Sequence, residues 1–135
     1  MRAPAGLILL VDDEEWFTAT LADVLEDQGY GVLQAADGES ALAALRRYRP
    51  DLVFLDLKMP GVGGEEVCRQ LAGHPGSPVI VVVTATATGE DALRLRQLGA
   101  RDVLLKPAPI EQLLRIARSV CRPRRSAGVG APQRG

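Results

Sequence analysis

Five short apolar runs, each followed by a stretch of helical period, constrain the fold of this chain more than any other feature. Leu7–Val11 (LILLV), Val32–Ala36, Asp51–Leu57 (DLVFLDL), Val79–Thr84 (VIVVVT) and Val103–Leu105 read as strands. Between them, apolar residues recur at the i, i+3, i+4 spacing of amphipathic helices. The stripes are Phe17, Leu21, Val24, Leu25 and Gln28, then Ala41, Leu42, Leu45 and Tyr48, then Val67, Cys68 and Leu71. Leu95 and Leu98 mark a fourth helix, and Ile110, Leu113, Leu114, Ala117 and Val120 a fifth. Punctuation agrees with the period. Gly29 and Gly31 stop the first helix, Asp37 caps the second, and Pro50 ends it. Thr88 and Asp91 form a capping box, Gly99 closes the fourth helix, and Pro109 suits the first turn of the last. Strands without alternation are buried on both faces, so the pattern predicts an α/β fold. That fold is a doubly wound five-stranded parallel sheet with five helices on its two faces.

The 135 residues suffice for one core and not for two. The domain is expected over residues 6–122. Residues 123–135, rich in Arg, Gly and Pro, are expected to form a disordered tail. Aromatics are only 4%, so the core must be aliphatic. All 17 acids lie within residues 1–121, whereas four of the 16 bases (Arg122, Arg124, Arg125 and Arg134) lie within 122–135, so the domain itself is acidic. Cys68 and Cys121 lack metal-ligand spacing and read as reduced core thiols. MRAPAGLILLV lacks the apolar region of a secretory leader, and no run is long enough to span a membrane. A cytoplasmic location is expected.

In an open parallel sheet, chemistry gathers at the carboxyl ends of the strands. Here those ends carry Asp12, Asp13 and Glu14 after strand 1, and Asp56 with Lys58 after strand 3. Strand 4 ends in Thr84, and strand 5 is followed by Lys106 and Pro107. Carboxylates converging on one rim repel one another unless a cation neutralises them. Oxygen donors without His or Cys point to a hard cation, Mg²⁺ before Zn²⁺. A carboxylate can act as nucleophile, while a hydroxyl and an ammonium suit phosphoryl oxygens. The residues thus predict a metal-assisted phosphoryl-acceptor site. His74 sits in an HPGSP turn and reads as a surface histidine.

The motifs LILLVDDE (7–14), DLVFLDLKMPGVGGEE (51–66), VIVVVTATA (79–87) and GARDVLLKPAP (99–109) resemble the receiver domain of two-component response regulators. The resemblance implies the strand order 2-1-3-4-5 and the following roles. Asp56 is the phosphoacceptor. Asp13 is a direct Mg²⁺ ligand, Asp12 acts mainly through water, and the backbone carbonyl of Lys58 is a third protein ligand. Thr84 and Lys106 contact the phosphoryl group, and the Lys106–Pro107 bond is cis. Lys58 and Thr86 occupy positions that tune dephosphorylation. The family's usual aromatic switch residue is replaced by Val103, which puts the usual coupling to Thr84 in doubt.

The implied partners are a sensor histidine kinase or phosphotransfer protein, and a downstream protein or second copy docking on the fourth helix, fifth strand and last helix. Direct nucleic-acid binding and membrane association are not expected, nor is enzymatic activity beyond self-phosphorylation and autodephosphorylation. A haloacid-dehalogenase phosphatase would need a second aspartate where Lys58 stands, and the TATATG run (84–89) follows the wrong strand for a flavin-phosphate loop. A receiver-like module that is not gated by phosphate is the alternative suggested by Val103. With no room for an output domain after Cys121, the chain reads as a stand-alone receiver, a phosphate shuttle, or a receiver fragment of a hybrid kinase or larger regulator.

Overall fold

Residues 6–58 and 63–121 are described by the computed structural model of the chain. The expected tail, like Arg122 of the expected domain, lies outside the described residues. The elements follow in strict alternation: β1 (Leu7–Val11), α1 (Glu15–Asp27), β2 (Gly31–Ala35), α2 (Gly38–Tyr48) and β3 (Leu52–Leu55). Then come α3 (Gly64–Gly73), β4 (Val79–Thr84), α4 (Gly89–Gln97), β5 (Asp102–Leu105) and α5 (Ile110–Val120). All strand pairs are parallel, in the order β2-β1-β3-β4-β5.

The sheet divides the core into two aliphatic layers. On one face Leu9, Val11, Val53, Leu55, Ile80 and Val82 meet Ala41 and Leu45 of α2, Val67, Cys68 and Leu71 of α3, and Leu95 of α4. On the other, Ile8, Leu10, Leu52, Phe54, Val81 and Val83 meet Leu21 and Leu25 of α1 and Leu113 and Ala117 of α5. Alternate residues of β1, β3 and β4 therefore feed opposite layers, which is why these strands read as unbroken apolar runs. Cys68 and Cys121 are free, buried thiols.

Local signals and their limits are visible at the element ends. Asp37 caps α2 by accepting from the Ser40 amide at 2.7 Å, and Thr88 with Asp91 forms the expected reciprocal box. Gly99 has φ +119°, and a Cβ there would collide with the Ala72 side chain, so a glycine must end α4. Four expectations need correction. Gly31 opens β2 rather than stopping α1, because its amide donates to Gly6 O at 2.9 Å and joins the β1–β2 ladder. Pro109 is the N-cap of α5, with extended ψ of 139°, not a first-turn residue. Tyr48, the last residue of α2, is 48% exposed rather than part of the buried stripe; its ring takes the Arg47 guanidinium at 5.4 Å. Gln28 is the exposed C-cap of α1 and accepts from Arg118 at 3.1 Å.

Candidate functional site at the carboxyl edge of the sheet

The ladder itself assembles the site. One residue beyond β3, the Asp56 amide donates to Val11 O at 2.9 Å, and one beyond β1, the Asp12 amide donates to Ala35 O at 3.0 Å. These bonds extend the β3–β1–β2 register and set Asp56 beside Asp12. On the other side, the Lys106 amide donates to Thr84 O at 2.8 Å, which carries Lys106 to the end of β4. Asp12, Asp56 and Thr84 are buried polar side chains, at 5%, 6% and 0% exposure, whereas Asp13 is exposed.

Lys106 joins the two halves. Its Nζ lies 2.5 Å from Asp12 Oδ2, 2.7 Å from Glu14 Oε1 and 3.6 Å from Asp56 Oδ2. It also sits 5.1 Å from the centroid of the Phe17 ring. Burial works against the ammonium, yet the carboxylates around it hold its pKa above the usual lysine range. The second Asp12 oxygen, Oδ1, accepts from the Glu14 amide at 3.0 Å. Asp56 Oδ1 accepts from the Lys58 amide at 3.3 Å. Thr84 Oγ1 accepts from the Thr86 amide at 3.4 Å.

Burial first, and the charge of Asp12 second, push the Asp56 carboxyl up from its ordinary value, against the pull of the Lys58 amide and the Lys106 charge. Oxygens of Asp12, Asp13 and Asp56 lie within 4.8 Å of one another. This cluster, with Glu14 at its edge, has one ammonium for four carboxylates. The donors are all oxygen and the surplus is negative, so the residues present fit a hard divalent cation such as Mg²⁺.

The structure thus brings Asp12, Asp13, Asp56, Thr84, Lys106 and the Lys58 backbone to one edge, as the sequence predicts, and the Lys106–Pro107 peptide is cis. It leaves His74 at the far end of α3, with Nδ1 against Pro75 O. Val103 is half-buried on the α2–α3–α4 side of the core. The sequence reading missed the Glu14–Lys106 pair and the aromatic shelf. Trp16 (69% exposed) and Phe17 stack edge-on at 5.9 Å beside a groove of about 420 Å³ reaching Pro107 and Ile110. A lone Trp off the α1 stripe was the available signal.

A doubly wound sheet with this acid cluster at its switch point defines the receiver class. The family model described as the response regulator receiver domain matches residues 8–118, and the chain belongs to that family. The DNA-binding response regulator MtrA of Mycobacterium tuberculosis is 40% identical over 119 residues, 88% of this chain and 51% of that protein. The sensory transduction protein RegX3 of Mycolicibacterium smegmatis is 39% identical over 115 residues, 85% of this chain and 50% of its own. The chain spans about half the length of these curated relatives. Among solved structures, the chemotaxis protein CheY4 of Vibrio cholerae aligns with TM-score 0.80 at 29% identity, covering 87% of this chain and 99% of that one. The beryllofluoride-activated receiver domain of Klebsiella pneumoniae RstA aligns at 0.78 and 30%, covering 85% and 97%.

Among the described residues, no helix is long and apolar enough to cross a membrane.

Proposed function

We propose that this receiver, residues 6–122, accepts a phosphoryl group on Asp56 from the phosphohistidine of a sensor kinase or phosphotransfer protein, or from acetyl phosphate. The observation that carries this reading is a buried carboxylate at the end of β3, flanked by Asp12 and by Lys106 Nζ at 3.6 Å. An Asp56 oxygen attacks phosphorus, the bond to the imidazole nitrogen or acetate oxygen breaks, and its electron pair leaves with that group. Lys106 holds one phosphoryl oxygen and Thr84 Oγ1 another. Later attack of water on phosphorus breaks the new bond and restores the carboxylate. Asp12, Asp13, Asp56 and the Lys58 carbonyl would hold Mg²⁺, which when bound neutralises phosphoryl charge. The protein supplies position and charge and turns over nothing but its own modification.

The output surface is the face of α4, β5 and α5, which docks a downstream protein or a second copy. Leu93 and Leu105, both more than half exposed, lie on these elements. DNA binding, printed in the name of MtrA, is a property of a protein of which this chain matches about half, and we assign none of it to residues 6–121. The cytoplasm is the compartment where a sensor kinase's histidine would meet this rim. Val103 favours a second reading, a module that docks its partner without phosphoryl gating.

Incubation with acetyl phosphate and Mg²⁺, followed by intact-protein mass spectrometry, tests the proposal. Wild type should gain one phosphoryl group, and Asp56→Asn none. Undiminished phosphorylation of Asp56→Asn would overturn it. If beryllofluoride changes no amide resonance on α4 or β5, the ungated reading holds instead.

A further inference from the structure

Glu14 occupies the N-cap of α1, where a carboxylate would ordinarily turn back to the first free amides of the helix. It does not. Its side chain makes no capping bond and reaches instead across a separation of 92 residues to Lys106 Nζ at 2.7 Å. The Asp12 carboxylate supports this pose, because Oδ1 accepts from the Glu14 amide while Oδ2 takes the same ammonium. Lys106 is therefore committed to two carboxylates and stands beyond hydrogen-bond range of Asp56.

We infer that Glu14 is a positioning residue: an exchangeable counter-ion that holds Lys106 off the acceptor in the resting state and competes with the phosphoryl group for it. The inference rests on the phosphoacceptor reading of Asp56. An incoming phosphoryl oxygen needs the Lys106 ammonium, and so do the two carboxylates that already hold it. Of these, Asp12 is buried and belongs to the cation cluster, so a cation there draws on the same oxygens. Glu14 is the outer partner, with its side chain 46% exposed, and it can release the ammonium into water at small cost. The ammonium, which rests 5.1 Å from the centroid of the Phe17 ring, then moves toward Asp56. Glu14 thereby sets how readily the site takes the phosphoryl state, without touching the reacting atoms.

Beryllofluoride, a phosphoryl analogue, tests this by titration with Mg²⁺ present, followed through Trp16 fluorescence or amide resonances. Glu14→Gln removes the competitor at constant shape and should lower the half-saturating beryllofluoride concentration about two- to fivefold, the range set by an exposed ion pair. In a Lys106→Met background the same substitution should have a clearly smaller effect, because there is no ammonium to release. An unchanged midpoint in Glu14→Gln, or an equal shift in both backgrounds, overturns the inference. The second result would mean that Glu14 acts only as one more negative charge. If wild type binds no beryllofluoride at all, the phosphoacceptor reading fails first, and the two failures are distinct.

Discussion

Asp56 is an ionisable group placed where its charged form is disfavoured. The carboxyl is buried, faces Asp12, and has its nearest cation at 3.6 Å. Its folded pKa stands above its unfolded value, so its stabilising contribution belongs to the protonated form. That contribution is complete below the unfolded pKa and is lost as pH rises through the folded one. In metal-free protein at neutral pH, Asp56→Asn should therefore raise stability by about 1 kcal/mol, because the Lys58 amide and Lys106 only partly offset the burial of the carboxylate. Denaturant melts at several pH values check this. The gap between variant and wild type should open as pH rises through the acid range and narrow when Mg²⁺ is added. A gap that widens toward low pH would contradict it.

Asp12, Asp13, Asp56, Thr84 and Lys106 were legible because each is tied to a strand end, and a parallel sheet gathers strand ends. The Glu14–Lys106 pair was not legible, because it depends on a rotamer at a helix cap and on a partner 92 residues away.

Among elements, the β3–α3 connection carries the tightest constraint on the site. A Cβ on Gly64 would lie 2.5 Å from Leu57 Cα and 2.9 Å from Asp56 O. The first turn of α3 thus presses directly on the backbone that presents the acceptor, and only glycine fits. Gly64→Ala should cost about 1–3 kcal/mol through backbone displacement. It should also weaken Mg²⁺ binding, since Asp56 and Lys58 must shift. Gly63→Ala, with nothing within 4 Å of its Cβ among the described residues, is the matched control and should leave both nearly unchanged. Thermal melts with and without Mg²⁺ read both effects, and equal behaviour of the two variants would contradict the assignment. The strands β1, β3 and β4 were plain in the sequence because both faces are buried. The edge strand β5 was read one residue short, because Asp102 looks like a turn residue. In fact Asp102 pairs with Val81, and its Oδ1 accepts from Arg96 and from the Val103 amide. Tyr48 fits the α2 stripe by period, yet it closes the helix and stays half-exposed, and period alone does not report burial at a helix end.

The whole molecule is electrostatically polarised by its topology. Every helix follows a strand and so begins at the carboxyl edge of the sheet. Acids fill the first turns (Glu15, Glu39, Glu65, Glu66, Glu90, Asp91 and Glu111), where the helix dipoles favour them. Bases fill the last turns of α2, α4 and α5 (Arg46, Arg47, Arg94, Arg96 and Arg118). The same rule that stabilises the helices makes the functional edge acidic, and Lys106 offsets part of that charge. The proposed modification must fall on Asp56 and not on its acidic neighbours. Reduction of the phosphorylated protein with borohydride converts an aspartyl phosphate to homoserine, which peptide mass spectrometry locates. Homoserine should appear at position 56 alone, dependent on Mg²⁺; homoserine at Asp12 or Asp13, or none after proven phosphorylation, would contradict the assignment of Asp56.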